Sequence, residues 1–319
     1  MAIFGYAVFH RVVANRSDQI VLKLGHSLDP THPVHKAMEL MNERLLELSG
    51  GTVRIDIYPS SVLGSEVEAI EQLQYGLLDM TKTSAASIEN FLPEMSVFGL
   101  PYLFRDEEHY WDVLNNSIGK ELLGKMKSKN LRGLCYYDSG SRNFYTKDCP
   151  IQTPDDLKGL KIRVMNSRTA MDMVKALGAA PTPIAWGELY TALAQGTVDG
   201  AENNLPSFTT NKHYEICKFF SRDSHTRIPD VLLISTKTWQ RFDPQVQQWI
   251  KKAANESSVF QRKLWKEKTI QAMEQAKAEG VKIYDVDQSL FAEKVKHMYD
   301  TITDDKIKDL VTKIREVKP

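Results

Sequence analysis

The chain has 319 residues, enough for two domains of ordinary size, each with its own hydrophobic core. Its 41 basic residues are balanced by 41 acidic ones, which argues against nucleic acid as the main partner. Hydrophobic residues make up 42% of the chain, a content that argues against disorder. No stretch approaches the ~20 apolar residues needed to cross a bilayer.

Residues 1–19 are expected to form a leader-like or disordered N-terminus. Residues 1–9 are apolar, as in a secretory signal peptide, but no basic residue precedes them and the apolar run is short. The alternating pattern typical of a strand begins at Ile20, so we expect the ordered part of the chain to begin there.

Strand and helix patterns alternate from this point, which predicts an α/β fold. A strand over residues 20–25 is followed by a helix beginning at Pro33, a residue suited to the first helical turn. A strand over residues 53–58 is followed by a helix whose start is marked by a capping box of Ser65 and Glu68.

One pattern occurs in both halves of the chain. Residues 73–79 and 193–199 share the spelling L-x-x-G-x-x-D, in which glycine ends a predicted helix and a short strand follows. Since each helix also follows a predicted strand, each half contains a strand–helix–strand unit. Ligands of open α/β sheets bind beyond the carboxyl ends of the strands, which are here residues 83–84 and 203–204. Two such lobes facing each other predict a binding cleft.

One helical pattern is unusually long. Asp243 and Pro244 provide an N-cap and a first-turn proline, and apolar residues recur on one side until Gly280. A helix of this length measures about 50 Å, which is more than one small lobe accommodates. We therefore expect it to lie across both lobes.

Two arginines are candidates for binding an anionic ligand. Arg163 lies in a predicted strand among apolar residues, and Arg142 lies where the chain is expected to cross between lobes. The planar guanidinium matches a carboxylate through two parallel hydrogen bonds. The alternative for each is structural, because a strand arginine often pairs with a nearby acid or lies on a solvated face.

Other polar residues are candidates with structural alternatives of their own. Asn203 and Asn204 could hydrogen-bond ligand hydroxyls or could form a turn. Glu66 could accept hydrogen bonds from hydroxyls or could support the first turn of a helix. Trp186 could provide an apolar platform under a ring or could belong to the core.

No pattern predicts a metal, cofactor or catalytic site. His26, His32 and His35 are close in sequence, but no cysteine or patterned acid accompanies them, and His32 is better suited to a hydrogen bond with a ligand. Nucleophile-elbow, phosphate-loop and zinc-protease motifs are absent from the sequence, which argues against an enzyme. For the cysteines, buried thiols are favoured over a Cys135–Cys149 bridge.

Six sequence markers carry a resemblance to a known family. They are Tyr58-Pro59-Ser60-Ser61 with Leu63-Gly64; Leu100-Pro101-Tyr102; Ser141-Arg142; Gly159-Leu160-Lys161-Ile162-Arg163-Val164; Gly178-Ala179-Ala180-Pro181-Thr182-Pro183; and Val198-Asp199-Gly200-Ala201-Glu202-Asn203. With them, residues 20–292 resemble the DctP-type periplasmic solute-binding proteins of tripartite ATP-independent periplasmic (TRAP) transporters.

The resemblance implies a two-lobed periplasmic-binding-protein fold of the α/β class, with crossing hinge strands and a long helix spanning both lobes. Lobe I is expected to comprise residues 20–141 and about 229–265. Lobe II is expected to comprise residues 142–228 and about 266–319.

The resemblance also implies roles for particular residues. Arg163 would form the salt bridge with the ligand carboxylate, Arg142 would be a second cationic contact, and Asn203 would lie near the carboxylate. The positions at which relatives line the pocket are Asn166, Trp186 and His225.

The candidate pocket offers more hydrogen-bonding capacity than a plain dicarboxylate uses. The residues concerned are His32, Glu66, Ser84, Asn203 and Asn204. Because a carboxylate facing Glu66 would be repelled while a hydroxyl would be held, we expect a hydroxylated monocarboxylate, namely a sugar acid such as a uronate, aldonate or diketogulonate. The alternatives are a C4-dicarboxylate receptor of the same family, a periplasmic ligand sensor and an enzyme acting on sugar acids.

The resemblance finally implies where the protein works and with what. We expect a periplasmic monomer whose partners are a small carboxylate ligand and the small and large TRAP membrane subunits.

Overall fold

The computed structural model describes residues 19–318. The leader-like segment expected at residues 1–19 lies, apart from Gln19, outside the described residues. The strands are β1 (Ile20–Gly25), β2 (Val53–Tyr58), β3 (Met80–Ser84), β4 (Leu131–Tyr137), β5 (Arg142–Thr146), β6 (Lys161–Val164), β7 (Ala180–Pro183), β8 (Gly200–Asn203), β9 (Phe219–Thr226), β10 (Asp230–Ser235) and β11 (Lys282–Asp285). The α-helices are α1 (Pro33–Leu48), α2 (Glu66–Tyr75), α3 (Ala85–Ile88), α4 (Glu107–Asn115), α5 (Ser117–Lys125), α6 (Arg168–Ala176), α7 (Leu189–Ala194), α8 (Leu205–Thr210), α9 (Thr236–Gln240), α10 (Pro244–Ala278), α11 (Gln288–Val295) and α12 (Asp305–Glu316).

Two sheets of similar topology organise the fold. The first has the strand order β2-β1-β3-β10-β4, and the second has the order β11-β9-β5-β8-β6-β7. In each, three parallel strands are arranged with the earliest strand in the middle, as β2-β1-β3 and as β7-β6-β8. An antiparallel strand borders each unit, β10 beside β3 and β5 beside β8. The two strand–helix–strand units predicted from the sequence are therefore confirmed.

The glycines of the repeated motif end their helices as predicted. Gly76 has a φ of 75° at the C-cap of α2, and Gly196, two residues after α7, has a φ of 72°. Glycine adopts this left-handed conformation at little cost because it has no Cβ. Each following strand then runs towards the same inter-sheet space.

The chain crosses between the sheets along adjacent strands. It leaves the first sheet after β4 and enters the second at β5, then leaves the second after β9 and returns at β10. Residues 138–141 and 227–229 are therefore the short hinge segments. We call the first sheet with its helices the first lobe and the second sheet with its helices the second lobe.

Helix α10 spans both lobes, as expected from its length. Its first half packs Ile250 and Ala253 into a first-lobe core with α1 and β4. Its second half packs Ala272 and Ala276 into a second-lobe core with β8 and β9. The Asp243 side chain accepts a hydrogen bond from the Val246 amide, which confirms the predicted N-cap.

The C-terminal helix departs from the expected division of the chain. The sequence predicts that the second lobe includes about residues 266–319, but α12 packs Leu310, Val311 and Ile314 into a first-lobe core. His109 on α4 also makes a 2.8 Å hydrogen bond to the Ile314 carbonyl. That assignment is wrong for α12, and the remaining lobe boundaries stay a prediction.

Between residues 19 and 318, no helix is long and apolar enough to cross a membrane.

The three cysteines, Cys135, Cys149 and Cys217, are free thiols. Cys135 and Cys217 are buried, as the sequence favours, whereas Cys149 is only half-buried.

Candidate functional site

A cavity lies between the lobes at the carboxyl ends of β3 and β8. Its volume of about 260 Å³ is close to the lower end of the range for small-molecule sites, roughly 300–1,000 Å³. Eight of the ten predicted site residues line it: Glu66, Ser84, Arg142, Arg163, Asn166, Trp186, Asn203 and Asn204. The strand-end rule for open sheets therefore located the cavity, and the size of the cavity suits a small molecule.

Arg163 contributes a buried cation to the second-lobe wall. The residue sits on β6 between the buried Ile162 and Val164 and is only 2% exposed. Its Nε donates a 2.9 Å hydrogen bond to the Ile184 carbonyl, and its guanidinium lies 5.6 Å from the centroid of the Trp186 ring. Its Nη1 is buried without a hydrogen-bond partner in the described chain.

The environment of Arg163 favours an incoming anion. Burial lowers the pKa of Arg163, because removing the guanidinium from water disfavours its charged form. Arginine nevertheless stays protonated in proteins. An unpaired buried charge costs free energy that an anionic ligand would recover.

Arg142 lines the same wall but is already paired. Its guanidinium bonds both carboxylate oxygens of Glu202 across the antiparallel β5–β8 pair, and its Nη1 donates to Asn203 Oδ1 at 2.9 Å. Burial of Glu202 favours the neutral carboxyl, but Arg142 and His225 outweigh burial and lower the pKa of Glu202 to about 2. Arg142 is therefore neutralised inside the protein.

His225 belongs to the same buried cluster as Arg142 and Glu202. Its Nδ1 lies 2.7 Å from Asp223 Oδ2, and its Nε2 lies 3.3 Å from Glu202 Oε2. Burial lowers the pKa of His225, but the two carboxylates outweigh burial and raise it to about 9. His225 is fully buried and does not line the cavity, although the resemblance placed it at a pocket-lining position.

The Asn203 side chain is oriented by its neighbours. Its Oδ1 accepts hydrogen bonds from Arg142 Nη1, from the Asn204 amide at 2.9 Å and from Asn204 Nδ2 at 3.1 Å. This leaves its Nδ2 group as a donor at the cavity wall. Asn204 Oδ1 accepts from the Ser207 amide at 2.8 Å, so Asn204 caps α8 while also lining the cavity.

The first-lobe wall holds a carboxylate-rich cluster. Lys82 Nζ lies 3.2 Å from Glu66 Oε1 and 3.2 Å from Asp230 Oδ1. Glu66 also accepts hydrogen bonds from the Ser84 amide at 3.3 Å and the Ser87 hydroxyl at 2.8 Å. Burial raises the pKa of Glu66, but Lys82 and these hydrogen bonds outweigh burial and lower it. On this wall the single ammonium group of Lys82 therefore lies between two acidic side chains, Glu66 and Asp230.

His32 lies next to the cavity without lining it. It is the N-cap of α1, and its Nδ1 accepts a 3.2 Å hydrogen bond from the Val34 amide. Its Nε2 lies 3.1 Å from the hydroxyl of Ser207, which does line the cavity. Burial lowers the pKa of His32, so the ring is neutral. His32 is therefore one residue removed from the cavity and contacts it through Ser207, and its predicted contact with a ligand stays a prediction.

Comparison with known proteins identifies the family. The sequence pattern of the bacterial extracellular solute-binding proteins of family 7, the DctP pattern, matches residues 24–306. The chain belongs to this family. Its members are receptors of TRAP transporters, so the chain is a TRAP solute-binding protein with the two-lobed fold of that family.

Three relatives differ in the ligands that their names give. A TRAP periplasmic solute-binding protein from Xanthobacter autotrophicus, solved with β-D-galacturonate, is 38% identical, covers 93% of this chain and 100% of its own, and has a TM-score of 0.90. The 2,3-diketo-L-gulonate-binding periplasmic protein YiaO of Escherichia coli is 30% identical over 85% of this chain and 83% of its own. The C4-dicarboxylate-binding periplasmic protein DctP of Rhodobacter capsulatus is 32% identical over 82% of this chain and 79% of its own.

Two charged residues of this solute-binding protein were missed by sequence reasoning. Lys82 and Asp230 both line the cavity. The available signal was Lys82 itself, a charged residue inside the short strand β3, because lysine is almost never fully buried without a partner. The pairing of Lys82 with Asp230 was not predictable, since the two residues meet only through the antiparallel β3–β10 register.

No metal centre is formed within the described range. No group of three or more histidine, cysteine or acidic side chains between residues 19 and 318 is arranged to hold a metal ion. His26 and His35, singled out in the sequence, instead bond each other, with 2.9 Å between His26 Nε2 and His35 Nδ1.

Proposed function

We propose that this protein is the periplasmic receptor for a hydroxylated monocarboxylate, a sugar acid such as a uronate, aldonate or diketogulonate. The ligand carboxylate binds Arg163, and the ligand hydroxyls bind the Glu66–Lys82–Asp230 cluster opposite. The observation that carries the proposal is the buried, unpaired Nη1 of Arg163 in the cavity wall. The galacturonate- and diketogulonate-binding relatives support the same ligand class.

The charges of the two walls favour one carboxylate over two. Lys82 and Arg142 are each paired with carboxylates, which leaves Arg163 as the cavity-lining cation without an acidic partner among residues 19–318. A second carboxylate at the far end would face Glu66, whose pKa is lowered, and would be repelled. Burial raises the pKa of the neighbouring Asp230, so Glu66 is the main source of this repulsion. Hydroxyls there would donate hydrogen bonds to the same oxygens. This distribution disfavours the C4-dicarboxylate alternative.

Binding is coupled to closure of the lobes. A ligand that contacts Arg163 on one lobe and Glu66 on the other binds the closed form more tightly than the open form, and this difference in affinity shifts the equilibrium. The closed form then docks on the TRAP membrane subunits as a monomer. The protein delivers the ligand without chemical change.

A thermal-shift screen of the purified protein tests the ligand class. The panel contains D-galacturonate, D-glucuronate, D-galactonate, 2,3-diketo-L-gulonate, succinate and malate, with D-galactose as the matched control lacking a carboxylate. Ligand at a hundred times its dissociation constant adds about 2.7 kcal/mol of stability, which is readily visible as a shift in Tm. We expect a sugar acid to stabilise the protein and galactose to have no effect.

Another outcome of this screen, or either of two further observations, would contradict the proposal. A response to succinate or malate alone would assign the C4-dicarboxylate function. A new product in the ligand fraction, found by mass spectrometry after long incubation, would assign an enzyme. A normal sugar-acid response from a chain encoded without neighbouring membrane-subunit genes would favour a sensor.

A further inference from the structure

The N-terminus of α6 receives a side chain from the opposite lobe. Glu89 directly follows α3 in the first lobe, is 7% exposed, and accepts a 3.1 Å hydrogen bond at Oε1 from the amide of Thr169 in α6. Helix α6 belongs to the second lobe, where Ala170, Met173 and Val174 pack under β6. This hydrogen bond therefore joins the two lobes.

The bond satisfies an amide that α6 cannot satisfy by itself. The first amides of a helix have no partner within the helix and attract negative charge. The Ser167 hydroxyl caps the Ala170 amide at 3.0 Å, while the Thr169 amide is bonded by Glu89. The cap of a second-lobe helix is thus completed by a first-lobe carboxylate, and this arrangement exists only while the lobes are together.

Other contacts between the two lobes lie close to the Glu89–Thr169 hydrogen bond. Asn90 Nδ2 donates a 2.7 Å hydrogen bond to the Asn166 carbonyl across the lobes. A Cβ on Gly99 of the first lobe would lie 3.2 Å from Thr169 Cγ2, so the two lobes approach closely here. Met165, which lines the cavity from the second lobe, packs in a first-lobe hydrophobic cluster.

The contact region connects directly to the cavity on both sides. Residues 165–169 continue β6, which carries Arg163, and Asn166 lines the cavity. Residues 84–90 begin at Ser84, which lines the opposite wall. Glu89 and Asn90 themselves do not line the cavity, so they act on the ligand only through the relative position of the two lobes.

We propose that Glu89 and Asn90 form an inter-lobe latch that holds the closed form and slows ligand release. The inference rests on the proposed function insofar as closure traps the ligand. Glu89 is a positioning residue, since it fixes the segment that carries Arg163 and Asn166.

The latch is weak without a ligand. Glu89 Oε2 is buried with no hydrogen-bond partner in residues 19–318. A buried carboxylate oxygen without a donor loses its hydration and gains nothing in return. Burial raises the pKa of Glu89 against the opposing hydrogen bonds of the α6 N-terminus, and this cost offsets part of the Glu89–Thr169 bond. The latch therefore holds the ligand-free lobes together for part of the time and for longer when a ligand is bound.

The test compares three variants of the full chain. Glu89→Ala removes the latch, Glu89→Gln keeps an oxygen acceptor for the Thr169 amide, and Asp156→Ala is the matched control. Asp156 also accepts amide hydrogen bonds, from Gln152 at 2.9 Å and Thr153 at 2.8 Å, but within its own lobe. The probe ligand is D-galacturonate, and its dissociation rate is measured by stopped-flow tryptophan fluorescence.

The expected result is a specific increase in the dissociation rate. Loss of a hydrogen bond to a charged group predicts that Glu89→Ala releases ligand about tenfold faster, while Glu89→Gln and Asp156→Ala stay within about threefold of wild type. An unchanged rate in Glu89→Ala, or an equal increase in Asp156→Ala, would overturn the latch.

Hydrogen exchange tests the latch without any ligand. The amide of Thr169 in the ligand-free protein should exchange faster in Glu89→Ala than in wild type or Asp156→Ala. Equal exchange of this amide in all three proteins would overturn the latch. Failure of wild type to bind any sugar acid would overturn the proposed function instead, and the exchange comparison would then decide the latch alone.

Discussion

The two walls of the cavity differ in how their buried cations are paired with acidic residues. On the first-lobe wall, Lys82 lies between two carboxylates, Glu66 and Asp230. On the second-lobe wall, Arg142 is bonded to Glu202, while Arg163, from the adjacent parallel strand, has no acidic partner in the described chain. A satisfied cation is part of the scaffold, whereas an unsatisfied one is available to a ligand. We infer from this difference that pairing, rather than residue type or position, distinguishes the proposed ligand-binding arginine, Arg163, from the structural one, Arg142.

The largest expected effect is a loss of stability when the ion pair between Arg142 and Glu202 is broken. Arg142→Met leaves Glu202 buried without its main partner, and breaking a buried ion pair typically costs about 3–5 kcal/mol. Urea unfolding measures the loss. Arg163→Met is the matched control, because it removes an unpaired charge and should change the unfolding free energy by less than about 1 kcal/mol. Equal losses in the two variants would remove the distinction between them.

The next effect is on affinity, from removing the unpaired cation. Arg163→Met should weaken sugar-acid binding at least about a hundredfold, roughly 2.7 kcal/mol, since no other cation of the cavity is free to hold the carboxylate. Isothermal titration calorimetry with D-galacturonate measures it, and unchanged circular dichroism shows that the fold is retained. An affinity within about threefold of wild type would contradict the assignment of Arg163.

The stability of the protein should depend on pH through His225, which belongs to the cluster of Arg142 and Glu202. Because the folded pKa of His225 is raised to about 9, its stabilisation is fully present below the unfolded pKa, near 6.5, and is lost as pH rises through the folded value. Between pH 7 and pH 9 the free energy of unfolding should fall by about 2 kcal/mol from this group. His225→Gln should show a flatter pH profile over that range, and identical profiles would contradict the charged state of His225.

The smallest effect concerns ligand selection by the first-lobe wall. Glu66→Gln removes a charge that repels a second carboxylate, so affinity for D-galacturonate should fall about tenfold, near 1.4 kcal/mol, while affinity for succinate should rise. Calorimetry with both ligands measures the change in preference. Glu71→Gln, on the exposed side of the same helix, is the control and should alter neither affinity.

Much of the fold was predictable because it depends on local patterns. The glycine-ended helices of both repeats and the N-cap and length of α10 follow from short-range spacing, and the structure confirms them. The lobe that α12 joins was not predictable. An amphipathic helix shows that it has an apolar face, but its sequence does not say which lobe covers that face.

The candidate site was predictable in position but not in pairing. Strand ends placed Ser84, Asn203 and Asn204 at the cavity, as the open-sheet rule requires. The Arg142–Glu202 pair joins residues 60 positions apart, and the Lys82–Asp230 pair likewise depends on strand register. Since neither pairing is visible from local spacing, the residues alone did not show that Arg142 is paired with an acid and Arg163 is not. The ranking of Arg163 above Arg142 came from the family resemblance.

A crystal structure with bound D-galacturonate tests the central claim most directly. We predict one carboxylate oxygen about 2.7–2.9 Å from Arg163 Nη1, with the sugar hydroxyls towards Glu66 on the opposite wall. A ligand bound in the reverse direction, with its carboxylate at the Lys82 cluster and Arg163 Nη1 still unpartnered, would contradict the account.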